Sequence, residues 1–292
     1  MRRSFLALVS ILILTFAAIA ILKNWSRQAS TEEGDVAMAV GEKERIQQFW
    51  TLYRKATDFR IAGNIEEANE HYQAALELND NHEDTWYYLA ASYRALRKLD
   101  KAEDAWKRLS EINPGSARAH LQLGGLYVDF PKEALFFNPE NARKHFQRAL
   151  EINQEETGPL LRLGHVALLK GNLSDAKQYF DAVTASNFRS VEAYFLNGYL
   201  AWKSGDSEAA LLLMEDAVTH SRPMKPVEGV LGEGDTKTGS ILGQSGRAKR
   251  KALFEDYLED LSELGEPDRR QMEARYRQLD VFLTQLRRNI PS

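Results

Sequence analysis

A near-constant spacing of small and bulky residues organises most of this chain. Five times an alanine stands four residues before a bulky side chain, and the alanines follow one another at steps of 34, 40, 34 and 34 residues. The pairs are Ala68/Tyr72, Ala102/Trp106, Ala142/Phe146, Ala176/Phe180 and Ala210/Met214. A period of this length indicates stacked helical hairpins, each too small to bury its apolar face alone. The spacing therefore predicts an all-α solenoid.

A second series of small residues repeats the same spacing, with steps of 34, 34, 40 and 34 residues. Its members are Ala56, Ala90, Gly124, Gly164 and Gly198. Small residues let the two helices of a hairpin approach closely, and the bulky residue of the facing helix fills the remaining space. The one longer step predicts an insertion of six residues near 129–138.

The second copy of the repeat shows the pattern most fully. It contains Trp86, Leu89, Ala90, Tyr93, Ala102, Trp106 and Pro114. These residues match W-x2-L-G-x2-Y, then A-x3-F, then P, so the chain resembles the tetratricopeptide repeat (TPR) family. The resemblance covers about five repeats, within residues 46–222. It implies a helical-hairpin solenoid that binds other proteins.

The amino terminus carries a long apolar segment. Residues 4–22 contain no charge and lie between Arg3 and Lys23. About 20 apolar residues span a bilayer core, so residues 1–27 are predicted to be a transmembrane anchor. The alternative is a signal peptide that is cleaved near Ala20, because Ala18 and Ala20 form a small-x-small site.

The charges that flank this segment favour one orientation slightly. Arg2, Arg3 and the terminal amine precede it, and Lys23 and Arg27 follow it. The positive-inside rule then keeps the amino terminus cytoplasmic. We expect a single-pass inner membrane protein whose bulk is periplasmic, joined to the anchor by a tether over 28–45. The opposite topology would suit an organelle membrane protein with a cytosolic domain.

The sequence shows no sign of catalysis. It has no cysteine, and therefore no thiolate zinc site and no cysteine nucleophile. Its six histidines lack the spacing of metal ligands, and no Gly-x-Ser-x-Gly elbow occurs. We therefore expect a protein that is not an enzyme and that uses no cofactor or metal.

The distribution of charge argues against nucleic acid as a partner. The whole chain has a net charge of −4, but residues 1–27 contain four basic residues and no acid. The remainder therefore carries 34 basic and 42 acidic groups. Nucleic-acid binders usually present a strongly basic face. We expect protein partners instead.

The resemblance implies that the first helix of each hairpin lines a groove for a peptide or helix of a partner. Carried onto this sequence, the groove is aromatic with several cations, which could hold acidic groups of that partner. The candidate residues are Trp50, Tyr53, Arg60, Tyr87, Arg94, Arg118, Leu121, His165, Phe195, Tyr199, Trp202 and Lys203. Leu135, Phe136 and Phe137 in the insertion are apolar, and either fold back as a hydrophobic staple or contact a partner.

Two segments follow the last repeat. Residues 223–246 are rich in glycine and are predicted to form a long loop. Residues 247–290 are predicted to form a helical hairpin, with Phe254, Tyr257, Leu261 and Leu264 on one face of its first helix. The second helix has heptad spacing from Met272 to Ile290. This hairpin either caps the last repeat or forms a homodimer seam.

The function predicted from these features is that of a membrane-anchored adaptor or scaffold. It would hold a segment of a partner protein for assembly of an envelope complex. Two alternatives stay open, namely a targeting receptor on an organelle surface and a non-catalytic subunit of a larger enzyme complex.

Overall fold

The computed structural model describes residues 41–133, 136–222 and 253–290, together with Lys23. Helices account for all regular structure in these ranges, which contain no strand. None of the described helices is both long enough and apolar enough to cross a membrane. The predicted anchor, residues 4–22, and the predicted loop, residues 223–246, lie outside the described residues.

The helices are numbered in chain order. The chain is helical over 41–62, here called α1. The following helices are α2 (Ile65–Leu78), α3 (Glu83–Ala95), α4 (Leu99–Ile112), α5 (Ala117–Leu126), α6 (Pro139–Ile152), α7 (Thr157–Leu169), α8 (Leu173–Ser186), α9 (Val191–Lys203), α10 (Ser207–Ser221) and α11 (Arg269–Arg288). Two 3-10 turns, Glu255–Tyr257 and Leu261–Glu263, precede α11.

From α2 to α10, each helix packs mainly on its neighbours in sequence. The odd-numbered helix begins each hairpin and the even-numbered helix ends it. Contacts limited to adjacent units are the defining property of a solenoid. The predicted all-α solenoid of helical hairpins is therefore confirmed over the described residues.

The small and bulky residues of the repeat meet as their spacing predicts. Phe146 packs on Gly124, and Phe180 packs on Gly164, so closely that a Cβ atom on either glycine would overlap the ring. Both phenylalanines are fully buried. The glycines are thus required by the close approach of the two helices in a hairpin.

The turns inside four of the five hairpins share a residue with positive φ. Gly63, Gly171 and Gly205 end their helices with φ of 87°, 75° and 92°. Arg97 takes the same place in the second hairpin, with φ of 58°. Glycine is the usual residue here because it has no Cβ to strain the left-handed region.

Residues 41–45 differ from the prediction, because they are helical and not part of a tether. Arg45 pairs with Glu42 at 2.8 Å and donates to the carbonyl of Leu78 at 3.2 Å. A local ion pair and a bond to the end of α2 therefore extend the first hairpin beyond the predicted start at residue 46.

The described residues of the insertion fold into the protein. Phe136 and Phe137 are 8% and 1% exposed, while Leu135 lies outside the described residues. Asn138 then caps α6 by accepting from the backbone N–H of Asn141 at 3.0 Å, and Pro139 is the first helical residue. The described part of the insertion thus buries Phe136 and Phe137 inside the molecule.

The buried side chains form two core clusters that meet at the insertion. One extends from Ala56 to Leu126 and includes Phe136. The other begins at Tyr127, includes Phe137, and continues into the carboxy-terminal segment 253–290. The two adjacent phenylalanines therefore join the two clusters.

The segment 253–290 corrects the predicted helical hairpin. Its first part forms the two 3-10 turns. The prediction of an α-helix there was wrong. Phe254 and Leu261, both fully buried, are each placed against the solenoid by one of these turns. Tertiary packing has thus overridden the helical spacing of the apolar residues. The α-helix forms only after Asp268, which makes a capping box with Gln271.

Candidate partner-binding groove

The predicted binding residues lie on the first helices of the hairpins, and this surface is called the groove face. Its N-terminal half consists of α1, α3 and α5. Its C-terminal half consists of α7 and α9. The two halves have different surroundings, so each is described separately.

An aromatic cluster joins α1 to α3 in the N-terminal half. The rings of Phe49, Trp50 and Tyr53 lie 4.8, 5.5 and 5.2 Å from the ring of His82. His82 caps α3 by accepting from the backbone N–H of Thr85 at 3.2 Å. Trp50 is 46% exposed, so the cluster holds a large apolar ring at the surface.

Burial and charge affect the tyrosine of this cluster. Burial raises the pKa of Tyr53 to about 12, and the nearby Asp84 carboxylate adds to the shift. The hydroxyl therefore stays protonated at neutral pH and can donate a hydrogen bond.

Two arginines stack on the tyrosines of α3. Arg60 lies 4.4 Å above the ring of Tyr88, and its Nε donates to the hydroxyl of Tyr72 at 3.2 Å. Arg118 lies 4.9 Å above the ring of Tyr87. Such cation–π contacts hold a guanidinium in place while leaving some of its N–H groups available.

The cations of this half differ in their carboxylate partners. Arg118 pairs with Asp84 at 2.5 Å, and Arg94 pairs with Asp129. Within the described ranges, no carboxylate lies within ion-pair distance of Arg60. Of the three cations predicted in the N-terminal half, Arg60 is therefore the one without a carboxylate partner among the described residues.

Asp129 links three consecutive repeats. Besides Arg94 of α3, it accepts two hydrogen bonds from Arg162 of α7, at 3.0 and 2.9 Å. The Asp129 side chain is 2% exposed. Burial alone would lower the pKa of Arg162, but Asp129 and Glu192 outweigh it and raise the pKa. Sequence reasoning missed this carboxylate, although its spacing of about one repeat from each arginine was a signal.

Aromatic packing against α11 covers the C-terminal half of the groove face. The ring of Tyr276, on α11, lies 5.3 Å from Phe195, 6.2 Å from Tyr199 and 6.1 Å from Trp202. Phe195, Tyr199 and Tyr276 are fully buried. These predicted groove residues therefore form a seat for the chain's own last helix.

A carboxylate completes that seat. Asp280 accepts from the hydroxyl of Tyr199 at 2.7 Å and from Nζ of Lys203 at 2.7 Å. Burial alone would raise the pKa of Asp280, but the hydrogen bonds from Lys203 and Tyr199 outweigh it and lower the pKa. The carboxylate is thus ionised at neutral pH and holds α11 on α9.

The far end of α11 reaches α7. Arg287 donates to the carbonyl of Leu168 at 2.8 Å. Upstream, Phe254 packs edge-on against the ring of His165 at 4.9 Å. His165 is 1% exposed, and its Nε2 lies 3.1 Å from Glu192. The segment 253–290 thus covers both first helices of the C-terminal half.

Tyr276 also substitutes for a repeat residue. In the last hairpin, Met214 stands where the two preceding hairpins have Phe146 and Phe180. The Tyr276 hydroxyl lies where a Cβ on Gly198 would be. The apolar face of α11, which was predicted to cap the last repeat or form a homodimer seam, is therefore used inside the molecule. Its five buried members are Met272, Tyr276, Leu279, Leu283 and Leu286.

The structure thus separates the predicted groove residues into two groups. One group lies on the N-terminal half and comprises Trp50, Tyr53, Arg60, Tyr87, Arg94, Arg118 and Leu121. The other contacts the segment 253–290 and comprises His165, Phe195, Tyr199, Trp202 and Lys203.

In the part of the chain that the structure describes, no three His, Asp or Glu side chains are grouped to hold a metal.

Comparisons with known sequences identify the repeats. Residues 59–128 and residues 161–224 each match a family model for the tetratricopeptide repeat. An uncharacterised protein of Methanocaldococcus jannaschii is 29% identical over 65 residues, which are 22% of this chain and 76% of that protein.

Solved structures agree on the fold. PilW, described as a widely conserved type IV pilus biogenesis factor, matches with a TM-score of 0.51 and 18% identity, over 77% of this chain and 98% of PilW. PilF of Pseudomonas aeruginosa matches with 0.53 and 18%, over 61% and 78%. MamA of Desulfovibrio magneticus matches with 0.53 and 10%, over 59% and 94%. Identities this low show the fold alone.

The fold is thus a solenoid of helical hairpins. The chain contains tetratricopeptide repeats, as its spacing predicts. Such repeats are typically non-catalytic scaffolds for protein interaction.

Proposed function

We propose that this protein is a scaffold that binds a segment of a partner protein on the N-terminal half of its groove face. The supporting observation is the contrast between the halves. Aromatic and arginine side chains, which anchor many protein interfaces, remain partly or fully exposed on α1, α3 and α5, among them Trp50 and Arg118. Their counterparts on α7 and α9 already contact the chain's own segment 253–290.

We further propose that residues 4–22 anchor this scaffold in a membrane, with the repeats on the periplasmic side. The support is the length of the uncharged segment and the charges that flank it. A scaffold held in this way would act in assembly of an envelope complex, where one partner must be kept beside the membrane. It would need no catalytic residue of its own.

A crosslinking pull-down with the full chain tests the binding site. We compare wild type with Trp50→Ala/Tyr87→Ala, which removes two aromatic anchors of the N-terminal half. The matched control is Phe188→Ala/Tyr179→Ala, which removes two rings outside the groove face. The proposal predicts a partner that wild type and the control capture and the groove variant loses. A partner that all three capture equally would contradict it.

Membrane attachment has a separate test. The full chain should stay with the membrane pellet after extraction at high pH, and deletion of residues 4–22 should release it. Protease added to the outer face of the inner membrane should digest the repeats. Release of the intact full chain from the pellet would contradict the anchor, and protection of the repeats would contradict the orientation.

A further inference from the structure

The C-terminal half shows how this groove face binds a helix. Tyr276 enters an aromatic seat, and Asp280, one helical turn later, meets the hydroxyl of Tyr199 and the amine of Lys203. Residues four apart lie on the same face of a helix. The recognised feature is therefore an aromatic ring followed, at the fourth residue, by a carboxylate.

This seat cannot easily exchange its occupant. Met272, Tyr276, Leu279 and Leu283 of α11 are all fully buried in the same core cluster as α7 and α9. An incoming helix would have to replace all of these contacts at once. A partner helix is therefore expected on the N-terminal half.

The N-terminal half offers similar chemistry with more room. Thr57 and Ala91 stand at the repeat positions that correspond to Tyr199, and Ala91 is only half-buried. The Thr57 hydroxyl lies 3.2 Å from the hydroxyl of Tyr72, and the rings of Tyr53 and Tyr88 lie 6.0 and 6.2 Å from the Tyr72 ring. An aromatic ring from outside could therefore be accommodated where the C-terminal half has a tyrosine of its own.

A cation is also in place. Lys203 holds Asp280 in the C-terminal half, whereas Arg60 of the N-terminal half has no carboxylate within ion-pair distance among the described residues. Its stacking on Tyr88 fixes its position before a ligand arrives. A guanidinium held in this way favours a carboxylate ligand.

The direction of α11 is consistent with such a ligand. The helix crosses α9 at Asp280 and reaches the end of α7 at Arg287. It therefore runs along the groove face toward the N-terminal half. A second helix could continue along the same face without displacing it.

From these observations we infer that the partner segment is an amphipathic α-helix with an aromatic residue and, four residues later, a carboxylate that meets Arg60. This inference rests on the proposed function, since it specifies the ligand of the same groove.

A synthetic peptide with the sequence of residues 268–290 is the probe, because it carries the pair at Tyr276 and Asp280. Fluorescence anisotropy measures its binding to the full chain. We expect one peptide per chain, and a loss of affinity of about tenfold or more for Arg60→Glu. A peptide with Asp280→Arg should bind Arg60→Glu better than it binds wild type. The control Lys55→Glu makes the same charge change at an exposed position of α1 and should bind like wild type.

Three results would overturn the inference. They are absence of binding, equal binding of a peptide with Asp280→Asn, and loss of binding in Lys203→Glu but not in Arg60→Glu. The last would show that the peptide replaces α11. If the inference fails while the pull-down partner still depends on Trp50 and Tyr87, the proposed function stands and only the ligand class is wrong.

Discussion

The N-terminal and C-terminal halves of the groove face are built from the same repeat, yet only one is covered by the chain itself. At one repeat position, α1 and α3 carry Thr57 and Ala91, whereas α7 and α9 carry His165 and Tyr199. The larger rings contact Phe254 and Tyr276 of the segment 253–290. The repeated small and bulky residues thus build the scaffold, and residues that vary between repeats decide what covers it.

Contacts of the insertion define the boundary between the two halves. Asp129, at the start of the insertion, accepts from Arg94 on one side and Arg162 on the other. Phe136 and Phe137 then enter different core clusters. The insertion therefore joins the halves through one buried carboxylate and two adjacent rings.

The largest expected effect comes from Tyr276→Ala. Removing this fully buried ring should lower the free energy of unfolding by about 3–5 kcal/mol and raise amide exchange in α9 and α11, with α3 unchanged. Urea unfolding and amide hydrogen exchange measure the two effects. The control Val281→Ala truncates an exposed residue of the same helix. A change below 1 kcal/mol for Tyr276→Ala would mean that α11 is not held by this seat.

Asp129→Asn tests the boundary. It should lower the free energy of unfolding by about 3 kcal/mol, because two largely buried guanidinium groups lose their carboxylate. Glu133→Gln is the matched control, since its pair with Arg97 is exposed and should contribute less than about 1 kcal/mol. Urea midpoints compare the two variants. Equal effects would show that the Asp129 pairs contribute no more than a surface ion pair.

Gly198→Ala should be milder, at about 1–2 kcal/mol, because overpacking against the Tyr276 hydroxyl is partly offset by better helix propensity. That hydroxyl is buried without a hydrogen-bond partner among the described residues. Tyr276→Phe should therefore be nearly neutral alone and should recover part of the loss in Gly198→Ala. A double mutant as unstable as the sum of the single mutants would contradict this contact.

The smallest effect is a pH dependence in the repeats away from the groove. Burial, and then the neighbouring His120, lower the pKa of His145 to about 4. Between about pH 4 and the ordinary value near 6.5, the unfolded chain thus binds more protons, and stability falls as the pH falls. Urea midpoints at pH 7 and pH 5 should differ less in His145→Gln than in wild type. An unchanged difference would rule out this histidine as the cause.

The solenoid could be predicted because its determinants recur at a fixed spacing. Each small residue, such as Gly164, predicts a bulky partner, such as Phe180, in the same hairpin. The cover on the C-terminal half could not be predicted in this way. Tyr199 and Asp280 are 81 residues apart, and Leu168 and Arg287 are 119 residues apart. No local period encodes these contacts, and the 3-10 turns before α11 follow from them.

The ion pairs of the predicted groove cations could not be predicted from the sequence either. The sequence presents Arg94, Arg118 and Lys203 as cations for a ligand, but each meets a carboxylate of the same chain. Only three-dimensional proximity reveals this. It leaves Arg60 as the cation on which a ligand carboxylate is expected.

Amide hydrogen exchange of the full chain, with and without its captured partner or the peptide of residues 268–290, tests the contrast between the halves most directly. Binding should slow exchange in α1 and α3 and leave α7, α9 and α11 unchanged. Slower exchange in α7 and α9 together with faster exchange in α11 would contradict the account. It would show that the C-terminal half binds the ligand and that the ligand displaces the segment 253–290.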